Sequence, residues 1–307
     1  GVDVLIPGIM EHIERAGVHS GDSMAVYPPQ SIEPEVIEQV IRHAIALSRA
    51  LEVRGLMNIQ YVVENGVAYI LEVNPRASRT IPYLSKITGV PMVKVATNVM
   101  LGKTLREQGY TTGLWPTRNL IAVKAPVFSF SKLHRVDIGL GPEMKSTGEI
   151  LGVDTDFSRA LYKAMVASGI DVPTGGGVLV ATIAERDKSE ALPIIRGFVE
   201  LGFQVAATAG TARFLQEHGI AAAPVKKVQE GSPNMVDLVR SGEVSLLINT
   251  LSNNKASEQD ASKTRRASVE SGVPCLTSLD TARALLMALR SRRESLQCLT
   301  IDEYVAA

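Results

Sequence analysis

Cysteine is scarce in this chain of 307 residues: Cys275 and Cys298 are the only two. Two thiols cannot build a disulfide framework, which fits a reducing compartment and makes the cytoplasm the expected location. Net charge is missing too. Lys plus Arg and Asp plus Glu come to 32 each, so no overall field draws the chain to nucleic acid or to an anionic membrane. No apolar run approaches the length of a membrane span, and no signal-peptide pattern opens the sequence. There is no leading methionine either. Gly1 stands first and Val2 to Ile6 reads as the middle of a strand, so the chain is expected to be cut from something longer. The 45% of hydrophobic residues suffices for one large or two ordinary domains with real cores.

Pro34 to Arg54 spaces Val36, Ile37, Val40, Ile41, Ala44, Ile45 and Leu47 along one face of a helix. Pro34 suits its first turn and Ser31 is a candidate cap. Two alternating runs between Asn58 and Asn74, around Asn65-Gly66, predict a β-hairpin. Pro91 to Gly102 reads as a helix ending in glycine. Tyr110 to Gly152, rich in Gly, Pro and Thr, predicts irregular structure with short strand-like pieces such as Leu120–Lys124. After about Asp154 the pattern changes. Helices expected at 156–168, 188–201, 212–218, 259–271 and 280–290 alternate with apolar strands at 178–183, 204–208, 244–249 and 274–277. Such alternation predicts a doubly wound parallel sheet.

The stretch YILEVNPRASRT (Tyr69–Thr80) sets a carboxylate, an amide and two arginines where an apolar strand ends. In the hairpin the odd positions Ile59, Tyr61, Val63, Val67, Tyr69, Leu71 and Val73 are apolar, while Gln60, Glu64, Glu72 and Asn74 are even. Residues opposite each other share a face of the sheet. A two-residue loop would pair Gln60 with Leu71 and mix the faces. Parity therefore predicts a three-residue loop, Glu64-Asn65-Gly66, with Gly66 left-handed. Gln60, Glu72 and Asn74 then converge as three oxygen donors fit for a hard cation such as magnesium. Arg76 and Arg79 would stand beside them to clamp anionic oxygens. The plainer alternative is a polar face that merely meets water.

Four stretches supply more context: GIMEHIERAGVHSGDS (Gly8–Ser23), RGLMNIQ (Arg54–Gln60), ILEVNPRASRT (Ile70–Thr80) and LGPEMKSTGE (Leu140–Glu149). Together they closely resemble the carbamoyl phosphate synthase large subunit in its second, C-terminal synthetase half. The resemblance implies a fold of mixed α/β and α+β class in three parts. Residues 1–110 would be the C-terminal part of an ATP-grasp domain and 111–153 an irregular connecting segment. Residues 154–307 would be a methylglyoxal-synthase-like allosteric domain with the doubly wound parallel sheet. The implied reaction is ATP-dependent phosphorylation of carbamate to carbamoyl phosphate in pyrimidine and arginine biosynthesis, with ATP and Mg2+ or Mn2+ as cofactors. The implied partners are a glutamine amidotransferase small subunit and the rest of the large subunit.

By the same resemblance, Gln60, Glu72 and Asn74 match metal ligands that bridge the ATP phosphates. Arg76 and Arg79 match arginines near the reacting phosphoryl group, and Asn74 belongs with them in catalysis. Gly17, Val18, His19 and Ser20 match a segment lining the nucleotide, which Gln60 and Glu72 also contact. Glu14 and Asp22 match acidic positions that hold the activator ornithine in some members, but Ala125 stands where those members place a third Glu. The chain also begins after the part of the module that carries the phosphate-covering loop, so nucleotide binding by this chain alone is expected to be weak.

In the later domain the resemblance implies an effector of the UMP or IMP type. Thr208 and Thr211, in the turn Ala207-Thr208-Ala209-Gly210-Thr211-Ala212, match effector-contacting threonines. Lys227 matches a phosphate-pairing lysine, and Thr182, Lys188 and Asn249 match further pocket positions. A strand-to-helix turn suits phosphate in any case, since free backbone N–H groups point out of it. Leu251 replaces an expected threonine. Ile248 to Asn253 contains no Asp, which argues against a methylglyoxal-synthase type of lyase. The rival reading is a non-catalytic module that binds an effector, self-associates and turns nothing over.

Overall fold

The structure, a computed structural model, describes residues 3–130, 137–252, 254–291 and 296–306. The first long helix, Pro34–Ala50, starts on Pro34 as expected, but Glu33 is its cap and makes no side-chain cap bond. Ser31 is engaged elsewhere, donating from its N–H and its hydroxyl to Glu11. The helix buries Val36, Val40, Ala44 and Ser48, one residue per turn. Val36 and Val40 lie in one apolar cluster with Ala68 and Tyr61 of the hairpin.

The hairpin strands run Asn58–Glu64 and Val67–Asn74. Glu64 pairs directly with Val67, so the loop is the two residues Asn65 and Gly66, with φ of 50° and 77°. Left-handed geometry at both central residues is what an Asn-Gly turn favours. The expected three-residue loop is thus wrong. The polar residues face one another for a different reason. Gln60 pairs with Glu72 while Tyr61 pairs with Ile70, which leaves Leu71 as an extra residue, a β-bulge. The bulge shifts the register by one and sets Gln60 opposite Glu72 and Asn58 opposite Asn74.

The segment 111–153, expected to be irregular with short strand-like pieces, holds two full strands. Strands Ile121–Val127 and Gly148–Asp154 pair antiparallel along their whole length. They complete a four-stranded sheet in the order Glu11–His12, Ala25–Tyr27, Ile121–Val127, Gly148–Asp154. Lys124 and Pro126 interrupt the apolar pattern of the third strand, so that the sequence showed only its first part, Leu120–Lys124. The helix Phe157–Ala167 is capped by Asp156 Oδ1, which accepts from the Arg159 N–H at 2.9 Å. This helix lies so close to the sheet that a Cβ on Gly152 would come within 2.3 Å of Ala160 O, so only glycine fits there.

Beyond it, five parallel strands line up as Ala222–Val225, Phe203–Thr208, Gly177–Thr182, Val244–Asn249 and Cys275–Leu276. In chain order this is 3-2-1-4-5, a doubly wound sheet whose order reverses between Gly177–Thr182 and Val244–Asn249. The expected strands and helices are present within a few residues of their places. The structure adds the edge strand Ala222–Val225 and the helices Thr80–Thr88, Met235–Arg240 and Ile301–Ala306. Apolar cores fill both faces of the parallel sheet. One of them also takes in Met24, Val26, Val123 and Ala125 of the antiparallel sheet. No helix among the described residues is long and apolar enough to cross a membrane.

At the junction of the two sheets lies Glu14, 4% exposed. Its Oε2 accepts the Met24 N–H at 2.7 Å and its Oε1 the Thr281 hydroxyl at 2.9 Å. Burial outweighs these bonds and pushes its pKa up to about 7. A carboxyl whose folded pKa is raised favours the folded state below its unfolded pKa. That contribution is lost as pH climbs from about 4.5 through about 7. Glu14→Gln should therefore flatten the fall in melting temperature between about pH 5 and about pH 8 and melt higher than wild type at the upper end. Thermal melts at several pH values check this; parallel curves for the two proteins would contradict it.

Candidate functional site

The hairpin, the loop 17–21 and the residues after Asn74 enclose a cleft of about 1610 Å³. Gly17, Val18, His19, Ser20, Gln60, Glu72, Asn74, Arg76 and Arg79 all line it. The structure therefore brings together every residue the sequence assigned to the metal, the nucleotide and the phosphoryl group.

Within the cleft the amide groups turn their nitrogens to neighbours. Asn74 Nδ2 donates to Glu72 Oε1 at 2.8 Å, and Gln60 Nε2 donates to Ser20 Oγ. Each amide keeps its carbonyl oxygen, and Glu72 keeps its second carboxylate oxygen. Oxygen donors with a single carboxylate suit a hard cation that also binds phosphate and water. A cluster of three or more His, Cys, Asp or Glu side chains is absent among the described residues, as expected when two of the three donors are amides. Gln60, Glu72 and Asn74 could hold magnesium on these terms.

Arg79 is held in place, and Arg76 much less so. Arg79 donates to Ser146 Oγ at 2.7 Å, to Ser146 O and Gly21 O at 3.2 Å each, and lies 3.6 Å from Glu149 Oε1. Asp22 supports that anchor: it is 1% exposed and accepts the N–H groups of Lys145 at 2.8 Å and Ser146 at 2.9 Å. Arg76 is exposed, with Nη1 donating to Ala77 O at 2.9 Å. His19 folds its own loop, its Nδ1 accepting from the Gly21 N–H at 3.0 Å and its N–H donating to Gly141 O at 2.8 Å. Glu14 and Asp22 are both engaged in internal bonds, and Ala125 is fully buried. That cluster has no carboxylate left over for an ammonium ligand.

Lys124 and Glu149, which were given no role from the sequence, stand in the same wall. Lys124 is 3% exposed, donates to Ser20 O at 2.8 Å and lies 3.8 Å from Glu149 Oε1. Burial pulls its pKa down, and the Glu149 carboxylate partly restores it. The signal available was a lysine inside an apolar run and a Glu closing LGPEMKSTGE, both short of an assignment.

The second candidate site lies where the parallel sheet reverses its order, the usual ligand crevice of such folds. Thr182 and Asn249 end the two strands there and bond to each other, Asn249 Nδ2 donating to Thr182 Oγ1 at 3.0 Å. Thr208 precedes the helix Ala209–Glu217 without capping it. Its hydroxyl reaches Thr211 Oγ1 at 3.3 Å, and Thr211, 2% exposed, also accepts the Ile183 N–H. Lys188 Nζ donates to Gly210 O at 3.1 Å and pairs with Glu185 at 2.7 Å. Thr208 pairs with Val225, so Lys227 lies two residues past the neighbouring strand end. Leu251 packs near Gly139, where a Cβ would meet its Cδ2 at 2.9 Å; it is an apolar contact, not a ligand. Sequence reasoning missed Arg265, 1% exposed, which donates to Asn249 Oδ1 at 2.9 Å and grips Asp137 at 2.6 and 2.8 Å.

Comparison with known proteins follows the same division. Residues 3–108 match the family model "Carbamoyl-phosphate synthase L chain, ATP binding domain" and residues 190–277 match that of the MGS-like domain. Among solved structures the chain is similar to a "Biotin Carboxylase domain of single-chain bacterial carboxylase", at 20% identity and a TM-score of 0.36. The alignment covers 48% of this chain and 38% of that one. In their order along one chain, the two family matches bear out the resemblance to the carbamoyl phosphate synthase large subunit: an ATP-binding part of that type is followed by an MGS-like domain.

Proposed function

We propose that the chain forms the carbamate-phosphorylating end of a carbamoyl phosphate synthase large subunit together with its regulatory domain. The whole enzyme would be a glutamine-hydrolysing ligase of the cytoplasm, serving pyrimidine and arginine biosynthesis. An amidotransferase subunit and the rest of the large subunit would complete it. The observation that carries this reading is the facing of Gln60 and Glu72 across the bulged hairpin, with Asn74 beside them and Arg79 fixed in the same cleft.

In the reaction a carbamate oxygen attacks the γ-phosphorus of ATP. The bond from that phosphorus to the bridging oxygen breaks, and ADP leaves with the electron pair. Magnesium or manganese, when bound, would neutralise the phosphate oxygens. Gln60, Glu72 and Asn74 would hold it through oxygen. Arg79 meets the negative charge that spreads over the transferred oxygens, from a position set before the reaction begins. The loop Gly17–Ser20 lines the nucleotide. At the parallel sheet, the uncapped helix start at Ala209-Gly210-Thr211 would take the phosphate of a UMP or IMP type effector, with Lys227 as its counter-charge.

Glu72→Ala in the intact large subunit should lower ATP formation from carbamoyl phosphate and ADP by ~100-fold or more, since it removes the one carboxylate of the set. Glu72 is exposed, so the melting temperature should change little. Full activity with an unchanged magnesium requirement would sink the reading.

A second expectation concerns the effector. Charge-assisted bonds to phosphate contribute roughly 1.5–3 kcal/mol each. Lys227→Ala should therefore weaken UMP or IMP binding by ~10-fold or more, and added salt should weaken binding to the wild type. Calorimetric titration reads both effects. Absence of saturable binding of either nucleotide or of inorganic phosphate to the wild type would leave the turn as a plain helix start.

A further inference from the structure

The helix Ile301–Ala306 has no part in the readings above, although it is bonded at its start and in its middle. Thr300 and Glu303 cap it reciprocally: Glu303 Oε2 accepts the Thr300 N–H at 2.6 Å, and Thr300 Oγ1 accepts the Glu303 N–H at 3.3 Å. Six residues cannot hold a helix in water by themselves, so packing must keep it. That packing comes through Tyr304, 5% exposed. Its ring lies in one apolar cluster with Tyr83 and Ile87 of the helix Thr80–Thr88 and with Ala122 and Val153 of the antiparallel sheet. Its hydroxyl accepts from Lys163 Nζ at 2.6 Å and donates to Gln297 O at 3.0 Å. Lys163 is itself fixed, since it also donates to Asp154 Oδ2 at 2.6 Å and to Val153 O at 3.1 Å.

The same cluster bears on Arg79. Ser146 and Gly21 hold its guanidinium, but its backbone stands at the cap position of the helix Thr80–Thr88 and goes where that helix goes. The helix is tied to the sheet by the Tyr83 hydroxyl, which donates to Ala122 O at 2.7 Å, and by the cluster that Tyr304 completes. The hairpin with Gln60, Glu72 and Asn74 rests elsewhere, Tyr61 and Ala68 packing with Val36 and Val40. We propose that Tyr304 is a positioning residue for the cleft: clamped by Lys163, it seats the helix Thr80–Thr88 and so aims Arg79. The inference rests on the phosphoryl-transfer reading and deepens it, because it gives the cleft two separate supports. One bears the metal and the nucleotide; the other bears the arginine that meets charge in the transition state. A residue that follows the MGS-like part in the chain thus acts on the ATP-binding part.

Two measurements test it. In the chain as it stands, amide hydrogen exchange is compared between wild type and Tyr304→Ala. Exchange should speed up by ~10-fold or more in Thr80–Thr88 and change little in Asn58–Asn74. In the intact large subunit, ATP formation from carbamoyl phosphate and ADP should lose ~10-fold or more in kcat. The KM for ADP and the magnesium requirement should stay nearly unchanged, a split that general destabilisation would not give. Tyr304→Phe keeps the ring and should restore most of the rate. Glu303 is exposed, so Glu303→Ala removes the cap while the core stays filled, and it serves if Tyr304→Ala fails to fold. It should give a smaller loss, again in kcat alone. Unchanged exchange in Thr80–Thr88, or an equal rise in the hairpin, overturns the proposal. So does a full kcat in both Tyr304→Ala and Glu303→Ala, or a loss expressed in the KM for ADP. Glu72→Ala is assayed in parallel and keeps the two readings apart. If it abolishes activity while the Tyr304 and Glu303 variants keep full kcat, the seat fails alone. If Glu72→Ala keeps full activity, the phosphoryl-transfer reading fails and the exchange result alone decides the seat.

Discussion

Asp22 is the contact on which the site depends. Its carboxylate is shut away from water and accepts two backbone N–H groups, from Lys145 and Ser146, in bonds of 2.8 and 2.9 Å. A buried carboxylate must be compensated in this way or it destabilises the fold. The compensation ties together two stretches more than a hundred residues apart. Ser146 then anchors Arg79 and leads on to Glu149, while the loop before Asp22 carries Ser20, which meets both Gln60 and Lys124. Without Asp22 the hairpin would still form, but the cations beside it would have no fixed positions.

The reversal point of the parallel sheet reaches the same segment from the other side. Asn249 accepts from Arg265, Arg265 grips Asp137, and Lys145 Nζ donates to Asp137 O at 2.9 Å. One uninterrupted set of bonds therefore runs from the reversal point of the parallel sheet to the anchor of Arg79. One apolar core beneath it is shared by the two sheets and holds them together. Residues 137–149 act as a splint rather than a linker.

Much of this was legible in the sequence, for identifiable reasons. Buried parallel strands are continuous apolar runs, so Val244–Asn249 and its neighbours showed plainly. Asn65-Gly66 marked the hairpin correctly. The register did not follow from parity, because alternation cannot see a bulge: Leu71 is as apolar as its neighbours. Turn chemistry read alone would have given the two-residue loop, and the resulting mismatch of faces would then have pointed to the bulge. Only the first part of the strand Ile121–Val127 was legible, as Leu120–Lys124, because Lys124 and Pro126 break the apolar pattern that identifies strands. Lys124, Glu149 and Arg265 escaped as site residues because their meaning lies in contacts with residues far away in sequence, which spacing does not report.

Gly21 carries a consequence for how such sequences change over time. A Cβ at this position would stand 2.5 Å from Arg79 Nη2, so any side chain there obliges the guanidinium to shift against its bonds to Ser146 and to Gly21 itself. The two positions are therefore one heritable unit. A descendant that loses the glycine should be free to lose the arginine as well. A relative with another residue at position 21 is then one in which this arginine is placed differently, even where every other residue of the stretch ILEVNPRASRT has been kept.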